Sequence, residues 1–169
     1  PATETATLIL PNLAGSLTAV LDQRKLPAAR TEELLEDHPL SKVLTSMPGV
    51  GVRTGARILI DVGDGSAFPT AGHLAAYSGL APATRSSGSS IRGEQPSRRG
   101  NKQLERAFFL SAFAALSDPA SRAYYDKKIT QGKQHTQALL CLARRRADVL
   151  FAMLRDGTFY EPQPSAAVT

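Results

Sequence analysis

The chain has 169 residues, 42% of them hydrophobic and 21% charged, with 20 Lys+Arg against 15 Asp+Glu and a formal charge of +5. That size suits one domain with a core, alone or with a helical arm, and the basic excess permits a polyanionic partner. One cysteine, Cys141, excludes an internal disulfide and a cysteine-rich zinc site and suits a reducing cytoplasm; no apolar run reaches the ~20 residues of a membrane span.

Alanine and leucine are the commonest residues and β-branched runs are scarce, so the sequence predicts an all-α fold. Leu13, Leu17, Val20 and Leu21 repeat at helical spacing until Pro27 interrupts, and a second piece over 31–38 takes Thr31 as its N-cap. The opening PATETATL lacks a methionine, which predicts a piece of a longer protein. A short helix over 40–47 stops at Pro48, the next covers 53–62 and ends in the turn GDGS, and Thr70 caps a helix over 71–77. From Gly79 to Gly100 serine, glycine, proline and arginine replace the aliphatics, predicting a long extended or hairpin-like loop of the kind that is usually functional or disordered. Helices resume at 101–116, 119–131 and 133–154. The last carries an apolar stripe of Leu139, Leu142, Val149, Leu150 and Met153 and ends at Gly157. Residues 162–169 read as a disordered tail.

Two stretches carry candidate chemistry. The first is LTSMPGVGVRTGARIL, residues 44–59. A dinucleotide loop needs a strand before GxGxxG, whereas Gly49, Gly51 and Gly55 give GxGxxxG after a short polar segment. A helix-hairpin-helix clamp fits better: glycines supply positive φ in a tight turn, and bare amides at the start of the second helix, Gly51 to Thr54, accept a phosphate oxygen. Val50 and Val52 would anchor the turn, Ile58 and Leu59 the core, and Arg53 and Arg57 would add charge. A plain corner that touches nothing stays open as the alternative.

The second stretch, 79–107, holds Arg85, Arg92, Arg98, Arg99, Lys102 and Arg106 against Glu94 and Glu105, a composition suited to a nucleic-acid backbone. Ser86, Ser87, Ser89 and Ser90 flank Gly88; by composition they read as a solvated linker before a nucleophile. Asp61 and Asp64 read as turn-formers, not metal ligands. His73 reads as a surface or packing residue, Tyr124 and Tyr125 as core or edge aromatics, and Cys141 as inert. At least one of Arg144, Arg145 and Arg146 must pack inward or pair, because together they cover nearly a full helical turn.

The ordered blocks PGVG, F-x(5)-LAAYSGLAP, SG, RRGNKQL and the ending GTFY, running from about Leu40 to Pro162, resemble the C-terminal half of insertion-sequence transposases of the IS-one-ten/one-sixteen type. The resemblance implies a DNA recombinase whose missing N-terminal half is a RuvC-like nuclease domain with four acidic ligands for Mg2+. Residues 1–39 would then be the connecting arm, able to pair with a second copy, and 40–161 the transposase domain. It implies a serine nucleophile in the SG block at Ser87, with Ser86 as the register alternative, linked covalently to a DNA phosphate during strand exchange. Gly49, Val50, Gly51, Val52, Arg53, Thr54, Arg57, Arg85, Gly88, Arg92, Arg98, Arg99, Asn101 and Lys102 are the candidate backbone contacts. DNA is the implied partner, with a structured guide RNA and a homo-oligomer, acting at the nucleoid in a bacterial cytoplasm; the isolated piece would bind but not cut. Glu105 departs from the arginine common after the leucine of that block, making the helix less basic.

Overall fold

A computed structural model describes residues 2–85, 93–96 and 100–162. Seven α-helices and one small hairpin follow each other among the described residues: α1 Ala2–Glu36, α2 Ser41–Thr45, α3 Val52–Val62, α4 Ala71–Tyr77, β1 Pro82–Arg85, β2 Gly93–Pro96, α5 Lys102–Ala114, α6 Pro119–Thr130 and α7 His135–Asp156. A single 3-10 turn, Ala115–Ser117, joins α5 to α6. The fold is all-α. The strands are antiparallel, with Pro82 opposite Pro96 and Arg85 opposite Gly93, so the hairpin-like reading of the loop holds there. No described helix is long and apolar enough to cross a membrane.

α7 is the central helix and packs against α2, α4, α5 and α6, while α3 lies on α5. Most of its stripe falls on the core: Leu142, Leu150 and Met153 pack in one cluster with Phe108 and Leu104 of α5, Leu74 of α4 and Leu44 of α2, Val149 lies half-buried against it, and Leu139 is buried. Each such side chain contributes about 1.5–3 kcal/mol on leaving water. Gly157 ends α7 in the left-handed conformation, φ 64°, and Thr70 caps α4, its hydroxyl accepting from the His73 amide at 3.3 Å.

The arm differs from expectation. α1 runs unbroken through both Pro11 and Pro27. Thr31 is not an N-cap: its hydroxyl donates to the Pro27 carbonyl at 2.7 Å, the in-helix bond to the residue four before, so the turn after the proline remains helical. The strong helix formers around Pro27 sustain the helix despite the lost N–H. Among the α1 residues whose burial is described, Leu35 is buried, against Gly55 of α3, while Leu10, Leu13, Leu17 and Val20 are exposed.

Candidate nucleic-acid interface

The turn between α2 and α3 is built by packing from behind. Val43, Leu44, Met47 and Val50 are buried, and the Val50 amide donates to the Met47 carbonyl at 3.0 Å, closing the bend over Pro48 and Gly49. Gly49 has φ +79°, and a Cβ there would fall onto the Ser111 carbonyl oxygen and within 2.7 Å of the Ala115 nitrogen. Glycine is required at that position twice over, by conformation and by space.

Behind the same bend lies Arg146 of α7, only 3% exposed. Its Nε donates to Ser111 Oγ at 3.1 Å and its Nη2 donates to the Pro48 carbonyl. Burial pulls its pKa down to about 10, which leaves it charged at neutral pH. Of the three consecutive arginines this is the one that packs inward. Arg144 pairs with Asp148, and Arg145 lies over the Tyr124 ring at 4.8 Å from the centroid.

In front, the turn is open. Gly51 has φ −95°, ψ 178°, ordinary extended backbone, and a Cβ there would meet nothing within 4 Å. The glycine requirement drawn from positive φ therefore applies to Gly49 and not to Gly51. The Thr54 hydroxyl accepts from the Gly51 amide at 3.0 Å and donates to the Gly51 carbonyl at 2.9 Å, and the Gly55 amide donates to that carbonyl at 2.8 Å. The bare donors are thus fewer than the expected Gly51 to Thr54: among the described residues nothing accepts from the amides of Val52, Arg53 and Thr54. Val52 is half-buried, and Arg53, exposed, makes no ion pair with a described residue. Arg57 is held differently, its fork bound to Asp61 at 2.8 and 3.2 Å.

The basic loop springs from a pinched stem. The Asn101 amide donates to the Tyr77 carbonyl at 2.7 Å, and a Cβ on Gly100 (φ +110°) would lie 2.7 Å from both that oxygen and the Gly79 nitrogen. Asn101 is engaged in the fold: its Oδ1 caps α5, accepting from the amides of Gln103 and Leu104, and its Nδ2 donates to the Tyr77 hydroxyl at 3.3 Å. Lys102 pairs with Glu105 at 2.7 Å. Arg85 stands on β1 opposite Gly93. Ser86, Ser87, Gly88, Arg92, Arg98 and Arg99 lie outside the described residues.

The two candidate regions sit at opposite ends of α5. The turn rests on Ser111 and Ala115, and the loop stem closes at Gly100 and Asn101. At about 1.5 Å per residue these points are about 15–20 Å apart, the length of about five base pairs of duplex.

Of the residues set aside in the sequence, Asp61 departs from its turn-former reading: it lies inside α3 and accepts from Arg57 four residues earlier. Asp64 accepts from the Ser66 amide at 2.9 Å, a turn role that holds its carboxyl below the ordinary range. Among the described residues no three His, Cys, Asp or Glu side chains group as a metal ion would need. Tyr124 and Tyr125 pack at the edge of the core, and the Tyr125 hydroxyl meets His135 Nδ1 at 2.7 Å. Sequence reasoning missed the GTFY segment's docking, where the Tyr160 amide donates to Ser46 Oγ at 2.9 Å. The signal was present, since GTFY was quoted as a block without a structural role.

The transposase IS116/IS110/IS902 family model matches residues 41–126. The chain is 63% identical over 169 residues to the insertion element IS110 uncharacterized 43.6 kDa protein of Streptomyces coelicolor, covering 99% of this chain and 42% of that protein. It is 42% identical over 169 residues to the insertion element IS900 uncharacterized 42 kDa protein of Mycobacterium paratuberculosis, with coverage of 99% and 42%. To the pilin gene-inverting protein of Moraxella bovis it is 32% identical over 119 residues, 69% of this chain and 37% of that one. The chain thus spans about two fifths of the length of the first of these curated relatives. With just over half of its residues inside the family model, the chain belongs to the transposase IS116/IS110/IS902 family.

Proposed function

We propose that the chain is the DNA-engaging part of a transposase, gripping a nucleic-acid backbone through the α2–α3 turn as a helix-hairpin-helix and supplying a serine for strand exchange. The observation that carries it is the open front of that turn. Among the described residues nothing accepts from three amides there, at the positive end of an eleven-residue helix, beside Gly51, where a Cβ would meet no described atom within 4 Å. Such amides bind a phosphate oxygen without reading a base. A side chain at Gly51 would stand in the space a phosphate needs. Arg53 adds an unpaired charge at the same point, while Arg57 must leave Asp61 to contribute.

The basic loop, about five base pairs along α5, would carry the chemistry. Ser87, or Ser86 in the alternative register, attacks a phosphorus: its oxygen bonds to phosphorus, one bond from phosphorus to a strand oxygen breaks, and the serine's proton ends on that departing oxygen. The resulting serine ester keeps the phosphodiester's energy, so reversal onto another strand end reseals DNA. Loop arginines, Arg85, Arg92, Arg98 and Arg99, would steady the added negative charge. On this reading Mg2+ belongs to the part of the protein beyond this chain, residues 1–39 are an arm that pairs two copies, 40–161 are the DNA-engaging domain, and a guide RNA is a further partner in the bacterial cytoplasm.

Trapping tests the reading. Full-length protein incubated with element-end DNA should form a covalent protein–DNA adduct that Ser87→Ala abolishes while DNA affinity stays within about twofold, since a neutral hydroxyl adds little to backbone binding. An adduct that survives both Ser87→Ala and Ser86→Ala overturns the nucleophile.

A further inference from the structure

A cavity of about 110 Å3 lies behind the α2–α3 turn, between α2, α6, α7 and the segment after α7. One water needs about 10–15 Å3 on this measure, so there is room for several waters, or for a tetrahedral phosphoryl group. Its lining holds two guanidinium groups, Arg145 and Arg146, and the hydroxyl-bearing Ser121, Tyr124 and Tyr160.

The charge balance there is unusual. Arg146 is buried yet bonded only to neutral acceptors, Ser111 Oγ and the Pro48 carbonyl, and its third nitrogen, Nη1, has no partner assigned among the described residues. Neither Arg145 nor Arg146 pairs with a carboxylate among the described residues, because Asp148 is taken by Arg144. The Asp118 carboxylate acts on Arg146 only through space, so among the described residues the buried cation has no directly bonded anion, and such a cation is normally paired or hydrogen-bonded to one. Among the described residues, the carboxylate lining the cavity is Glu161, exposed, on the segment held by the bond from the Tyr160 amide to Ser46.

We propose that this cavity is a phosphate site, with Arg146 as its buried cation, Arg145 at its mouth and Glu161 as a carboxylate that a bound phosphate displaces. The ligand chemistry is a phosphoryl group, from a nucleic-acid strand or from free phosphate. Both sources present the same group to the pocket, and competition between them distinguishes the two. The inference extends the nucleic-acid reading and stands apart from the turn's amides and from Ser87.

The chain has four tyrosines and no tryptophan, so ring-labelled tyrosine NMR reads the pocket with little overlap. Titration with inorganic phosphate, against chloride at equal ionic strength, should shift Tyr124 and Tyr160 saturably and leave Tyr77 in place. Arg145→Gln should weaken binding about tenfold by removing a charge-assisted contact. Glu161→Gln should tighten it about threefold by removing a like charge. Arg146 also supports the turn, so the opposite signs of those two variants carry the test. A short single-stranded oligonucleotide that displaces phosphate supports the strand as source; one that fails to compete supports free phosphate. Gly51→Val should leave the phosphate shifts unchanged while weakening oligonucleotide binding, which separates this site from the turn. Absence of a saturable shift with both probes, or shifts that neither Arg145→Gln nor Glu161→Gln alters, overturns the proposal.

Discussion

The two glycines of the turn should respond in opposite ways to the same methyl group. Gly49→Ala places a Cβ on a residue at φ +79°, against the Ser111 carbonyl and 2.7 Å from the Ala115 nitrogen, both backbone atoms in the rigid join of α5 to the 3-10 turn. The left-handed conformation costs about 1–2 kcal/mol and the overpacking about 1–3 more. The sum, about 3 kcal/mol, corresponds at this size to a fall in Tm of about 6–12 °C. Gly51→Ala meets nothing within 4 Å at φ −95°, so its folded state is unstrained. Reduced freedom of the unfolded chain should stabilise it by about 0.4–1 kcal/mol. Urea unfolding followed by circular dichroism, with unchanged m-values, measures both. A Gly49→Ala protein within about 0.5 kcal/mol of its parent, the usual spread for surface changes, or a Gly51→Ala protein as damaged as Gly49→Ala, would refute this account of why the two glycines are there.

Three further outcomes are expected. Asn101→Ala, which strips the cap from α5 and the contact to Tyr77, should cost about 1 kcal/mol in the same unfolding assay. Leu13→Glu with Leu17→Glu changes only exposed positions of α1, so the domain's Tm should hold while self-association, followed by sedimentation, is lost if the arm pairs two copies. Burial lowers the pKa of Arg146 from its ordinary value to about 10, so its proton stays bound below about 10 and the guanidinium stays charged through pH 6–9. Sulfate binding in the pocket should therefore be flat across that range; a loss between pH 6 and 7.5 would point to a histidine instead.

Much of the fold was legible because local signals agreed with burial. Thr70 and Asn101 cap helices as their residue types prefer, and the α7 stripe falls on the core at helical spacing. Pro27 misled because the proline rule is local, and strong helix formers on both sides carry α1 past the missing hydrogen bond. In the turn, the pattern PGVG announced bare amides without revealing that the Thr54 hydroxyl already satisfies Gly51. Arg57 looked free on spacing alone, yet Asp61 stands four residues on, the distance at which helical ion pairs form. Covering a helical turn required one arginine of 144–146 to face inward. That Arg146 reaches the Pro48 carbonyl, 98 residues away, is a tertiary fact no local pattern carries.

The grip of the turn is tested most directly by amide NMR of the chain with a short DNA duplex. The amides of Val52, Arg53 and Thr54 should shift downfield together and most strongly, with Gly51, already bonded to Thr54, moving less. Their affinity should fall steeply with salt. Binding that leaves those three amides in place while perturbing other surfaces would contradict the account.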